Sequence, residues 1–310
     1  MRGALIRVLS WVLPAAAIAY LGFVLAENDF HRLLSHFGPE SLAVAAAAAV
    51  VYGAALYLLA FSWSTTLQHL ASNPVNLEMA VRIYAFSTFA KYLPGNVFHY
   101  AGRQIAAARL GYGQKATAQA SAVEIAGHLL VAGALLLALL PFAAGQLEWL
   151  HSLDPEVLGY WPLALPGAAL LGASALLILT RRGHKLMPVL GRRLLGFVGL
   201  LQLSFFVLAT LLGVWLAQIV FGPPVGSLPS IAFAYLLAWL IGFVTPGAPG
   251  GLGVREACLV AALGAYGDFT AILAFAALSR GALLVGEALF ALSGFLLDPE
   301  RSQSLERGTS

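Results

Sequence analysis

Residues 228–264 read LPSIAFAYLLAWLIGFVTPGAPGGLGVREACLVAALG, an apolar stretch interrupted in its middle by Thr245-Pro246-Gly247-Ala248-Pro249-Gly250-Gly251-Leu252-Gly253. Proline removes a backbone donor and glycine favours non-helical angles, so a helix is expected to stop there. Residues 77–110 have the same form, with Leu93-Pro94-Gly95-Asn96 as the interruption. Each segment reads as a helix, an unwound turn and a second helix, which either re-enters on its own side or spans twice.

Around these two segments lie six uninterrupted apolar runs, at 7–26, 41–62, 115–143, 161–180, 193–221 and 268–297. In hydrocarbon there is no water to satisfy backbone N–H and C=O groups, so a run of about 20 apolar residues is expected to span as a helix. The composition agrees: 60% of residues are hydrophobic and 10% charged, against roughly 45–50% and about 25% in soluble domains. So few charges cannot cover a water-facing surface. The expected fold class is an all-α polytopic membrane protein with six spanning helices and two broken or re-entrant helical hairpins. It forms one integral membrane domain over 1–310.

Several function classes lose support at this level. The formal net charge is only +3 and the basic residues do not interleave with aromatics, so no nucleic-acid partner is expected. Cys258 is the single cysteine, which excludes an internal disulfide, and it lies in an apolar run where an inert packing thiol is the commoner case. His31, His36, His69, His99, His151 and His184 are scattered without metal-ligand spacing. No Gly-x-Ser-x-Gly elbow, Cys-x-x-Cys pair or His-Glu-x-x-His helix occurs, so neither a metal nor a cofactor is expected. Met1 to Ala26 has Arg2, Arg7 and a Val24-Leu25-Ala26 ending like a signal peptide. Its apolar part exceeds the usual h-region of about 7–15 residues, and it reads as a retained first spanning helix.

Loop charges give an orientation. Arg2 and Arg7 put the N-terminus inside; 27–40 has one basic residue and is outside; Arg109 and Lys115 bring the chain back inside. Loop 144–160 lacks Lys and Arg, whereas 181–193 carries Arg181, Arg182, Lys185, Arg192 and Arg193 and is cytoplasmic. Loop 222–229 is uncharged and outside, and the tail 299–310, with Arg301 and Arg307, is cytoplasmic. The parity holds whether the broken segments re-enter or cross twice.

The two broken segments also match in detail. Pro94-Gly95 is followed by Arg103-Gln104 and Pro246-Gly247 by Arg255-Glu256, with nine positions from proline to arginine in both. Downstream, Leu110-Gly111-Tyr112-Gly113 answers Leu263-Gly264-Ala265-Tyr266-Gly267 with one insertion. The chain then divides into a first repeat, 1–145, and a second, 159–298. Each unit makes an odd number of net crossings, so the second copy is inverted and the two turns can approach near the midplane. Many secondary transporters are laid out this way, with discontinuous helices aiming their positive N-terminal ends at an anion.

Ionisable residues within membrane segments are expensive and mark function by default. Lys91 and Arg103 flank the first turn; snorkelling to cytoplasmic phosphates explains them about as well as substrate binding. Arg255 and Glu256 open a helix directly after Gly250, Gly251 and Gly253, where free N–H groups and the helix dipole favour an anion and an arginine adds a forked phosphate ligand. Alternatively, the glycines serve close packing and Arg255 pairs with Glu256 or another carboxylate. Glu124 and His128 are spaced i, i+4 on one helix face and suit either a proton relay or a satisfied polar pair, with Arg280 and Glu287 on the last helix as neutralising partners.

The stretch Lys91-Tyr92-Leu93-Pro94-Gly95-Asn96-Val97 with Arg103 downstream, and the stretch from Pro246 to Ala257, resemble the two signature regions of the lysylphosphatidylglycerol synthase transmembrane family. The resemblance covers nearly the whole chain. That family includes the flippase half of the bacterial lipid-lysinylating protein and stand-alone members associated with lipid, hopanoid and lipid-linked sugar handling. This sequence stops at Ser310, without room for the soluble aminoacyl-transferase domain of two-part members, so only the membrane part is implied.

The resemblance implies movement of a lipid with a charged or glycosylated headgroup between inner-membrane leaflets, rather than an enzyme. The lipid is the expected partner; a homo-oligomer or a lipid-synthesis partner stays open. Lys91, Pro94, Gly95, Arg103, Pro246, Gly247, Gly250, Gly251, Gly253, Arg255 and Glu256 would bind it, and Glu124, His128, Arg280 and Glu287 would serve as buried charges or coupling groups. The rival readings are an intramembrane transferase on lipid substrates and a membrane scaffold for a lipid-modifying partner.

Overall fold

The computed structural model describes residues 35–92, 98–143, 183–222, 228–245, 248–264 and 269–296. The expected runs 7–26 and 161–180 lie outside the described residues, as do Pro94, Gly95, Pro246 and Gly247. Among the described residues the chain is helical and has no strand. The order is α1 (Pro39–Leu70), α2 (Leu77–Thr88), a 3-10 turn (Phe89–Tyr92), α3 (Phe98–Arg109) and α4 (Gln114–Ala143). After these come α5 (Gly183–Phe221), α6 (Leu228–Val244), a second 3-10 turn (Pro249–Gly251), α7 (Val254–Leu263) and α8 (Phe269–Leu296).

Among the described residues, four helices are long and apolar enough to cross a membrane: α1, α4, the Leu190–Phe221 part of α5 and the Phe269–Gly294 part of α8. This is the architecture of a helical membrane protein. Large apolar side chains such as Val50, Phe142, Leu200, Leu211 and Leu292 stay exposed, as a lipid-facing surface requires.

Helix ends depart from the expected runs for local reasons. Hydropathy falls after residue 62, yet α1 continues to Leu70 because Trp63 and Leu67 are fully buried and Thr66 Oγ1 donates to the Ser62 carbonyl at 2.8 Å. α2 is capped by Asn76, whose Oδ1 accepts the Met79 N–H at 3.0 Å. The stretch 181–193, expected as a loop, is helical from Gly183. It bends at Gly191, whose φ of 67° and ψ of 152° lie outside the helical region.

The Leu110-Gly111-Tyr112 element closes α3. Gly111 has φ of 75°, and Tyr112 N–H reaches back to the Ala107 carbonyl at 2.9 Å, so the last turn is wound off by a left-handed glycine. Its counterpart Gly264 has φ of −55° and ψ of −26°, so the match between the two stretches does not extend to backbone conformation at this glycine.

α1 is the central helix, packed along α8 and α5 and also touching α2 and α4. Its contact with α8 passes through Gly53 and Gly286, small residues that let backbones approach. Polar side chains pin the bundle at other points: Trp63 Nε1 donates to Ser121 Oγ on α4 at 3.1 Å, and Tyr57 OH to Ser293 Oγ on α8 at 2.6 Å.

Both interrupted segments fold as helix, 3-10 turn and helix. The two turns touch: a Cβ on Gly250 would lie 2.7 Å from Cε1 of Tyr92. The arginines that follow the two turns, Arg103 and Arg255, both line one cavity beside this contact.

Candidate functional site

The cavity has a volume of about 100 Å³ and is lined by α1, by the two interrupted segments, and by α4 and α5. It has room for several water molecules. Lys91 and Arg103 reach it from the first interrupted segment, and Gly250 and Arg255 from the second.

Arg103 on α3 is 2% exposed. Its Nη1 is paired with Glu124 Oε2, and its Nε donates to Ser87 Oγ at 3.0 Å. The guanidinium lies 3.7 Å from the centre of the Tyr84 ring, with Tyr100 and Trp63 at 5.4 and 5.5 Å. Tyr84 OH in turn donates to Glu124 Oε1 at 2.6 Å. Both carboxylate oxygens are therefore occupied, and α2, α3 and α4 are joined by one knot. Snorkelling does not describe Arg103, because its charge is met inside the protein.

His128 stands one turn beyond Glu124, its Nε2 4.0 Å from Glu124 Oε1, as the i, i+4 spacing requires. Its ring stacks on Phe243 with centroids 5.8 Å apart and meets Phe206 edge-on at 5.4 Å. His99, 9% exposed, also lines the cavity. The Nδ1 atoms of both histidines have no hydrogen-bond partner among the described residues.

α8 staples both turns. Glu287 Oε1 accepts from Lys91 Nζ at 2.5 Å, and Oε2 from Tyr92 OH at 2.7 Å, while Tyr52 OH on α1 approaches Oε1 at 3.4 Å. Two turns earlier on α8, Arg280 Nη1 donates to the Gly250 carbonyl at 2.9 Å. Arg280 thus holds the second turn and also lies over the Tyr92 ring of the first at 5.5 Å, Glu287 holds the first, and Glu124 is neutralised by Arg103.

Arg255 sits in a seat made by glycines. Gly250, Gly251 and Gly253 have φ of 56°, 76° and 79°, a run only glycine adopts readily. A Cβ on Gly251 would lie 2.8 Å from Arg255 Cδ, and one on Gly242 of α6 would collide with Arg255 Cγ. The glycines therefore serve close packing and place the arginine at once. The guanidinium lies 6.0 Å from the Trp239 ring, and among the described residues it forms no ion pair. Neighbouring Glu256 has a buried Oε2 without a hydrogen-bond partner among the described residues. Arg255 also borders a smaller cleft that includes Glu256, Ser279 and Arg280. No protein-family model matches the chain, and no curated protein does.

Sequence reasoning placed the charged residues but not their tyrosine partners. Tyr52, Tyr84 and Tyr92 supply hydroxyls to Glu124 or Glu287, and nothing in their spacing separates them from other membrane tyrosines. Trp239 and His99 escaped for the same reason.

Proposed function

We propose that the chain is a lipid translocase, moving a lipid with a charged headgroup between leaflets of the bacterial inner membrane. In this reading six helices span, both termini are cytoplasmic, and the interrupted segments belong to two inverted halves that rock against each other. A charged headgroup resists crossing because an unpaired charge is costly in hydrocarbon, and a catalyst has to offer replacement solvation. The observation that carries the reading is that Arg103 and Arg255, nine positions after Pro94 and Pro246, line one cavity inside a helical bundle. Histidine nitrogens, Lys91 and the arginines supply polar contacts there, while acyl chains would stay in lipid.

The test is leaflet exchange in reconstituted vesicles containing labelled phospholipid. Arg255→Ala is expected to reduce exchange strongly, since Arg255 lacks a carboxylate partner among the described residues and its removal strands no counter-charge. Wild-type exchange in that variant would remove the cavity from the mechanism.

The scaffold reading draws on one observation: Arg103–Glu124 and Lys91–Glu287 pair off inside the bundle. A scaffold predicts that all inner charges do so, and Arg255 and Arg280 do not among the described residues. Leaflet exchange by the purified protein alone separates the two.

A further inference from the structure

The inner charges are unequal in number, and the inequality describes a ligand. Lys91, Arg103, Arg255 and Arg280 are the cations gathered around the two turns. The carboxylates beside them are Glu124, Glu287 and Glu256. Among the described residues, four formal positive charges thus face three negative ones. Arg103 and Lys91 are matched by Glu124 and Glu287. The excess falls on the other pair of cations: among the described residues Arg280 is bonded to the neutral Gly250 carbonyl and lies over the Tyr92 ring at 5.5 Å, with Nε and Nη2 unsatisfied, and Arg255 has the face of Trp239 but no carboxylate.

An uncompensated charge in a low-dielectric interior is unfavourable, so the site gains most from a ligand that brings its charge to zero. A zwitterion leaves the excess in place, and a dianion overshoots it. Guanidinium forks fit the oxygens of a phosphate group, and the N–H groups opening α7 beside Arg255 favour the same charge. We propose that the group recognised is a phosphodiester carrying one net negative charge. This deepens the translocase reading and rests on it for the ligand being a lipid headgroup.

The test uses the full chain in detergent micelles, with binding of fluorescent phosphatidylglycerol, phosphatidic acid and phosphatidylcholine measured side by side. A charge-assisted contact gives a preference of about tenfold to a hundredfold for phosphatidylglycerol over phosphatidylcholine. The preference should follow the charge count: Arg255→Gln abolishes it, and Glu256→Gln, which leaves Arg255 in place, moves it toward the more highly charged phosphatidic acid. Competition by soluble glycerophosphoglycerol assigns recognition to the phosphodiester itself, and absence of competition assigns it to the lipid-borne form; both support the charge rule. Equal binding of the zwitterionic lipid by the wild type, or an unchanged preference in a monodisperse Arg255→Gln protein, overturns it. Selective binding without leaflet exchange would sink the translocase reading alone, whereas exchange of all three lipids at one rate would sink only the charge rule.

Discussion

Gly53 on α1 and Gly286 on α8 cross so closely that a methyl group on Gly53 would lie 2.7 Å from the Gly286 carbonyl oxygen, and one on Gly286 2.5 Å from the Ala49 carbonyl oxygen. The obstacles are backbone atoms, which cannot rotate away as a side chain would. Gly53→Val is therefore expected to destabilise the protein by about 1–3 kcal/mol or more, as overpacking does. Gly133→Ala on α4, with nothing within 4 Å of the added carbon, should be neutral. Thermal denaturation in detergent checks the difference; equal melting temperatures would mean that the helices part more readily than their packing implies.

Glu124→Gln should be far more damaging than its small change in volume suggests. It leaves the Arg103 guanidinium, 2% exposed, without its counter-charge. Breaking a buried pair from one side typically costs about 3–5 kcal/mol, whereas removing both partners costs much less. The double variant Arg103→Gln, Glu124→Gln is expected to recover much of the loss. Chemical denaturation of the two single variants and the double variant gives the coupling energy, and purely additive losses would contradict the pairing.

Much of this was legible from residues alone, because interruptions and buried charges are costly and few mechanisms tolerate them. The interruptions expected around Pro94-Gly95 and in 245–253 follow from proline and glycine chemistry, and among the described residues α2 ends before the first and α3 begins after it, while α6 ends at Val244 and α7 begins at Val254. The nine-position spacing to Arg103 and Arg255 singled out two side chains that share a cavity. Pairing was not legible. Arg280 and Glu287 share a helix and invite a mutual role, yet Arg280 bonds the Gly250 carbonyl while Glu287 accepts from Lys91 and Tyr92, since partner choice depends on how helices distant in sequence pack. The continuation of α1 past residue 62 was hidden for a related reason: hydropathy counts Ser62 and Thr66 as polar, whereas both are buried with partners, Thr66 donating to the Ser62 carbonyl and the Ser62 hydroxyl accepting from Gln202.

Gly251→Ala tests whether the glycine seat matters to Arg255. The substitution places a side chain at φ of 76° and a carbon 2.8 Å from Arg255 Cδ, which costs about 1–2 kcal/mol in backbone strain alone. Leaflet exchange should fall while the protein remains folded and monodisperse. Gly113→Ala, in open space, should leave exchange unchanged. Full exchange by Gly251→Ala would detach the arginine's position from transport.

Loop charges make the orientation testable. In a Cys258→Ala background, Gly113→Cys is expected to react with a membrane-impermeant maleimide only from the cytoplasmic side, and Ser227→Cys only from the opposite side. Labelling of both from one side would rule out the inverted arrangement of the two halves.

The bond between Lys91 and Glu287 spans 196 positions, whereas Arg103 finds Glu124 after 21. In a chain synthesised from its N-terminus, the arginine acquires its counter-ion within the same stretch of helices. The lysine has to wait for the last one. Until α8 arrives, the first turn lacks the one carboxylate that meets Lys91 among the described residues, so the early helices on their own are an unfinished structure. The glutamate on α8 therefore ties the last described helix to a charge laid down near the beginning of the described chain.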